Sequence, residues 1–171
     1  GGSANIQFVN SEVNGRVDGT YTGGIGIHSK TANNILIQNN FVHDVADGAH
    51  FFSTNDIKVI GNTFEDLRSD GIKFGGNSDV LVENNIGATR THPDPDDHVD
   101  FIQFQGSATD VVLRGNVLLP EEYSNDKVYQ GIFLKVGAYN NVLIEQNLIY
   151  TNTVNGIYVE SDSGTGGNIE I

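Results

Sequence analysis

The chain has 171 residues, of which 22 are acidic and 9 basic, for a formal charge of −13. That balance argues against nucleic acid and anionic membranes as partners. Cysteine is absent and no apolar run is long enough to span a membrane, so neither a disulfide framework nor a transmembrane helix organises the fold.

The first predicted element, Asn5 to Phe8, recurs along the whole chain. Ile6, Ile35, Ile57, Val80, Val111, Val142 and Ile169 form one column. Phe8, Ile37, Val59, Val82, Leu113, Ile144 and Ile171 form a second, two residues on. Three residues further comes a polar column of Ser11, Asn40, Asn62, Asn85, Asn116 and Asn147. A second strand follows in each unit, with Ile25, Ala49, Ile72, Ile102, Ile132 and Ile157 in line. Glycine precedes it at 24, 48, 71, 131 and 156, and Phe101 takes that place once.

Apolar residues at period two mark strands with one face inward. Units of 22 to 31 residues are too small to bury that face alone, so they must stack. The expected fold is all-β: a right-handed, single-stranded parallel β-helix of about six coils in one domain, 1–171, with a ladder of asparagine amides at one corner. The coils run roughly 5–33, 34–55, 56–78, 79–109, 110–140 and 141–167. Because the sequence opens and closes inside a unit, uncapped ends and a longer parent protein are expected.

Coils four and five carry the two large insertions, Gly87 to Val99 and Leu119 to Tyr129, which leave at one corner and are expected to wall a groove. The first insertion holds Asp94, Asp96 and Asp97 between His92 and His98. These are oxygen ligands of the kind Ca²⁺ takes. An outward stripe of Leu36, Leu81, Val112 and Leu143 is a candidate contact with another segment or chain. On the second sheet, Asp47, Asp70 and Asp100 should stack one strand spacing apart, with Gln130 in the same line. His50, Lys73 and Gln103 stand beside them, and His28, Gln105 and Lys135 are placed just after the strand. Aspartate before glycine is also ordinary turn chemistry. Acid, base and amide on one face, next to the insertions, point to a site.

These units resemble the β-helix repeats of extracellular polysaccharide-active proteins, among them pectate and alginate lyases and mannuronan C5-epimerases. The residues that carry the epimerase resemblance are Gly23-Gly24-Ile25-Gly26-Ile27-His28, Asp47-Gly48 and Gly131-Ile132-Phe133-Leu134-Lys135. Gly23 and Gly26 stand where that family has tyrosine and aspartate. The resemblance implies a secreted protein that acts on a uronate polysaccharide by removing the proton at C5. Lys73, Lys135, His50 and His28 would be the catalytic groups. Asp47, Asp70, Asp100, Gln103, Gln105, Gln130 and Tyr129 would bind substrate. Glycoside hydrolysis by paired aspartates and a non-catalytic carbohydrate-binding or structural solenoid, such as a fibre, adhesin or phage spike, are the alternatives.

Overall fold

A computed structural model describes residues 4–15, 24–89, 99–120, 130–151, 155–162 and 167–171. The chain coils into a parallel β-helix with three strands per turn, and each strand pairs with its equivalent one coil away. The first sheet stacks β1 (Ala4–Val9), β4 (Asn33–Gln38), β7 (Asn55–Ile60), β10 (Asn77–Glu83), β13 (Ala108–Arg114), β16 (Tyr139–Glu145) and β19 (Ile169–Glu170). The second contains β2 (Glu12–Asn14), β5 (Phe41–His43), β8 (Thr63–Glu65), β11 (Ile86–Thr89), β14 (Val117–Pro120) and β17 (Leu148–Ile149). The third is β3 (Ile25–Lys30), β6 (Asp47–Phe52), β9 (Ile72–Gly75), β12 (Asp100–Gln105), β15 (Gln130–Gly137) and β18 (Ile157–Ser161).

The first column expected in the first sheet holds throughout, with Ile6 on Ile35 and onward through Ile57, Val80, Val111 and Val142 to Ile169, and the second holds from Phe8 to Ile144, Ile171 lying past the end of β19. The second sheet was not anticipated, because strands of two to four residues are too short to show an alternation. Its discovery moves the expected insertions. Gly87 lies within β11, and Leu119 within β14.

The core is a filled interior. Ile57, Val59, Phe64, Ile72, Phe74, Val82, Ile102 and Leu113 are all essentially inaccessible. Phe51, Phe74 and Phe104 stack face to face in successive coils, with ring centres 5.4 and 4.5 Å apart. Offset stacking of this kind adds to plain area burial.

The asparagine corner is as expected. The main-chain N–H of Asn40 donates to Asn62 Oδ1 at 2.9 Å, that of Asn62 to Asn85 at 2.9 Å, and that of Asn85 to Asn116 at 3.1 Å. The Nδ2 of each inner rung also donates to both neighbouring coils, as Asn85 does to the Val59 carbonyl of the coil before at 2.8 Å and to Asn116 Oδ1 of the coil after at 3.0 Å. The residue before each rung, Asn39, Gly61, Asn84, Gly115 or Gln146, has positive φ. That bend turns the chain from the first sheet into the second.

One expected register is wrong. Ile27, not Ile25, pairs with Ala49, and His28 pairs with His50. Coil one offers two glycines, Gly24 and Gly26, and packing decides between them. A Cβ on Gly26 would lie 2.7 Å from the Gly48 carbonyl oxygen and from a Val42 methyl, whereas one on Gly24 would meet nothing. Gly26 therefore belongs to the crowded corner column. Phe101 interrupts that column because its ring uses the space left open by Gly71 and Gly87, each of which has no room for a Cβ beside it.

Candidate functional site

The third sheet presents two outward rows. The corrected register makes the first His28, His50, Lys73, Gln103, Phe133 and Tyr158. The second is Lys30, Phe52, Gly75, Gln105 and Lys135. His28 thus moves out of the row holding Lys135, and the column match on which the epimerase resemblance drew is lost for that residue. Ile25, not Gly23, is the coil-one equivalent of Asp47.

Behind these rows runs the aspartate ladder. Each aspartate sits where the chain rounds the corner into the strand, so it shares a face with the residue three positions on, which simple alternation would place opposite. One carboxylate oxygen holds the next coil: the Asp70 N–H donates to Asp47 Oδ1 at 3.1 Å, and the Asp100 N–H to Asp70 Oδ1 at 3.0 Å. The turn role and the site role therefore belong to different oxygens of one group. The other oxygen faces the site. Asp47 Oδ2 lies 3.5 Å from His50 Nε2, at the outer limit of hydrogen bonding, and Nε2 has no closer partner. Asp70 Oδ2 pairs with Lys73 Nζ at 2.5 Å, and Asp100 Oδ2 accepts from Gln103 Nε2 at 2.5 Å.

The ladder stops at Gln130, whose N–H goes to the Val99 carbonyl at 2.8 Å and leaves Asp100 Oδ1 buried without a partner. Gln130 Oε1 instead accepts from Asn155 Nδ2 at 3.0 Å.

Asp70 and Asp100 are each 1% exposed. Burial pushes Asp47 up, but the His50 ring, Lys73 and the Asp70 amide outweigh it and hold the carboxyl below its ordinary value. In Asp70 burial prevails over the Lys73 ion pair, and the shift is upward. Burial, and then the neighbouring charge of Asp70, raise Asp100 to about 7 against the pull of Gln103, Lys73 and Lys135. Three stacked carboxyl groups thus differ in their readiness to ionise.

Aromatic groups flank this centre. His28, His50 and Phe52 meet edge to face, with ring centres 5.7 to 6.4 Å apart. Phe133 and Tyr158 stack at 4.7 Å. The Phe52 ring lies across Gly75, where a Cβ would collide with it.

Residues 2–171 match the family described as right handed beta helix region. The chain belongs to that family. No curated protein and no solved structure matches it. Membership of this right-handed β-helix family agrees with the fold and hand expected from the repeats, and with polysaccharide-active and purely structural roles alike.

Of the sequence-predicted site residues, His28, His50, Lys73, Lys135, Asp47, Asp70, Asp100, Gln103 and Gln105 share this one face, with Gln130 at its corner. Tyr129, Asp94, Asp96 and Asp97 lie outside the described residues. Among the described residues, no group of three or more histidine, aspartate or glutamate side chains converges as a metal site would.

Sequence reasoning missed a second cluster, on the second sheet. His43 Nδ1 is 2.9 Å from Asp44 Oδ2, and Nε2 is 3.0 Å from Glu12 Oε1. The Phe41 ring stacks on His43 at 4.2 Å. Burial works against its charge, but the two carboxylates prevail and raise its pKa. It fastens coil two to coil one.

Proposed function

We propose that the outer face of the third sheet binds an acidic polysaccharide along the coil axis and removes the proton beside a uronate carboxyl group. The supporting observation is the layering of charge. Asp70 and Asp100 are buried, Asp70 against the Asp100 amide and Asp100 against the Gln103 side chain, whereas Lys30 and Lys135 are exposed and Lys73 is half-buried between them. A protein of charge −13 thereby offers a polyanion a locally cationic surface.

Lys73 faces the substrate carboxylate and lowers the cost of the negative charge that develops on it as the C5 proton leaves, while Lys135, two coils on, holds a carboxylate further along the polymer. An imidazole, His50 or the neighbouring His28, accepts that proton. Asp47 orients His50, and Asp70 fixes the Lys73 amine. In elimination the electron pair left at C5 forms the new double bond as the C4–O bond breaks, and the departing oxygen is protonated. In epimerisation a proton returns to C5 from the opposite side.

Incubation with alginate and polygalacturonate should produce an unsaturated, ultraviolet-absorbing product, or a change in C5 configuration seen by proton NMR. His50→Ala should lower that rate at least about 100-fold. Neither product from any uronate polymer would overturn the proposal.

One observation favours a second reading. Asp100 stays protonated to near neutral beside Asp70, an acid and a carboxylate roughly 4.8 Å apart as adjacent rungs, close to the separation of a retaining glycosidase. New reducing ends without the chromophore would select hydrolysis. Both carboxyl groups are buried, which places this reading second.

A further inference from the structure

Along the outward rows, cationic and neutral side chains alternate coil by coil. Coil one presents the exposed amine of Lys30, and coil two the Phe52 ring beside His50. Coil three presents Lys73, coil four the exposed amide of Gln105 with Gln103 buried beside it, and coil five the exposed amine of Lys135. Parallel pairing fixes the rise per coil, so successive amines stand two rungs apart, about 9.6 Å along the axis. One rung is close to the length of one sugar in an extended chain. Among the described strand residues of this face, Glu160 is the one exposed carboxylate, and it lies beyond Lys135.

We infer that the ligand of this face is a polysaccharide with one anionic group for every two sugars, its acidic residues over coils one, three and five and its neutral residues over coils two and four. The inference rests on the acidic-polysaccharide reading above and sharpens it. A neutral sugar over coil two meets an aromatic ring, against which its apolar face can lie. Over coil four it meets the exposed Gln105 amide, which serves its hydroxyls. An anionic sugar in either place meets no amine.

The test is equilibrium binding of the whole chain to four polymers at low and moderate salt. Hyaluronan and unsulfated chondroitin carry a carboxylate on every second sugar, polygalacturonate on every sugar, and dextran on none. Charge density alone favours polygalacturonate, so tighter binding of the alternating polymers is the diagnostic result. Lys30→Ala and Lys135→Ala, both at exposed positions, should each weaken hyaluronan binding by about two- to fivefold and make it less sensitive to salt. Preference for polygalacturonate, with both lysine effects retained, would overturn the alternation and leave the acidic-polysaccharide reading standing. Dextran bound as well as the others, no polymer bound, or binding unmoved by either substitution would overturn that reading and the inference with it.

Discussion

Two corners of each coil carry a ladder of side chains, and they solve one problem in different ways. At the asparagine corner the amide nitrogen of one coil donates to the side chain of the coil after it, as Asn40 does to Asn62. At the aspartate corner the direction reverses, and Asp70 donates to the side chain of the coil before it. Asparagine brings its own donors, so each inner rung is satisfied on every side without charge. Aspartate accepts one main-chain hydrogen bond and keeps a second oxygen for a histidine, a lysine or a glutamine. The first corner is closed to chemistry by its completeness. The second holds the coils together with one oxygen each of Asp47 and Asp70 and arms the outer face with the other.

Substitution at the first corner should do the most damage. Asn62→Ala removes the acceptor for the Asn40 amide and the donor to the Ile37 carbonyl, both buried. At about 1–3 kcal/mol for each stranded group, a loss of roughly 3–4 kcal/mol is expected in denaturant unfolding. Asp70→Asn should cost less. It keeps an oxygen for the Asp100 amide and loses only the partner of Lys73. Burial already opposes the Asp70 charge and raises its pKa despite Lys73, so losing that charge offsets much of the broken ion pair, and the expected cost is below about 1 kcal/mol. If the two variants are equally destabilised, the corners do not differ as described.

The third effect is one of slope. Asp100 has a folded-state pKa of about 7, above the ordinary 3.8, so its contribution to stability is full below about 3.8 and is lost as pH rises through 7. Unfolding free energy should fall across that window. In Asp100→Asn that part of the decline should vanish, and the variant should be the more stable protein at pH 8. A wild-type curve that is flat between pH 4 and 7 would remove the distinction drawn for this rung.

Much of this was legible because the repeat is written in apolar residues. Ile57, Val80 and Val111 announce the first sheet, and Asn62, Asn85 and Asn116 announce the corner after it. The aspartate line was legible too, since Asp47, Asp70 and Asp100 each sit a fixed distance before an aliphatic strand residue. What escaped notice depended on space. Nothing in the string Gly24-Ile25-Gly26 says which glycine slides under the Gly48 carbonyl. The strand Phe41–His43 was too short to declare itself, and the cluster around His43 went with it. The burial of Asp100, and with it its raised pKa, follows from neighbours far away in sequence.

The consequence of the one-coil pairing is modularity. Each strand of 56–78 hydrogen-bonds only to coils immediately above and below, through the same asparagine contacts at either surface. A second copy of that segment spliced in after Ser78 would meet familiar groups on both sides. It would lengthen the molecule by a single rung, about 4.8 Å, and insert an additional Asp–Lys pair into the face. The solenoid is thus a ruler whose gradations can be added or removed one at a time, and polymer length preference should follow the number of gradations.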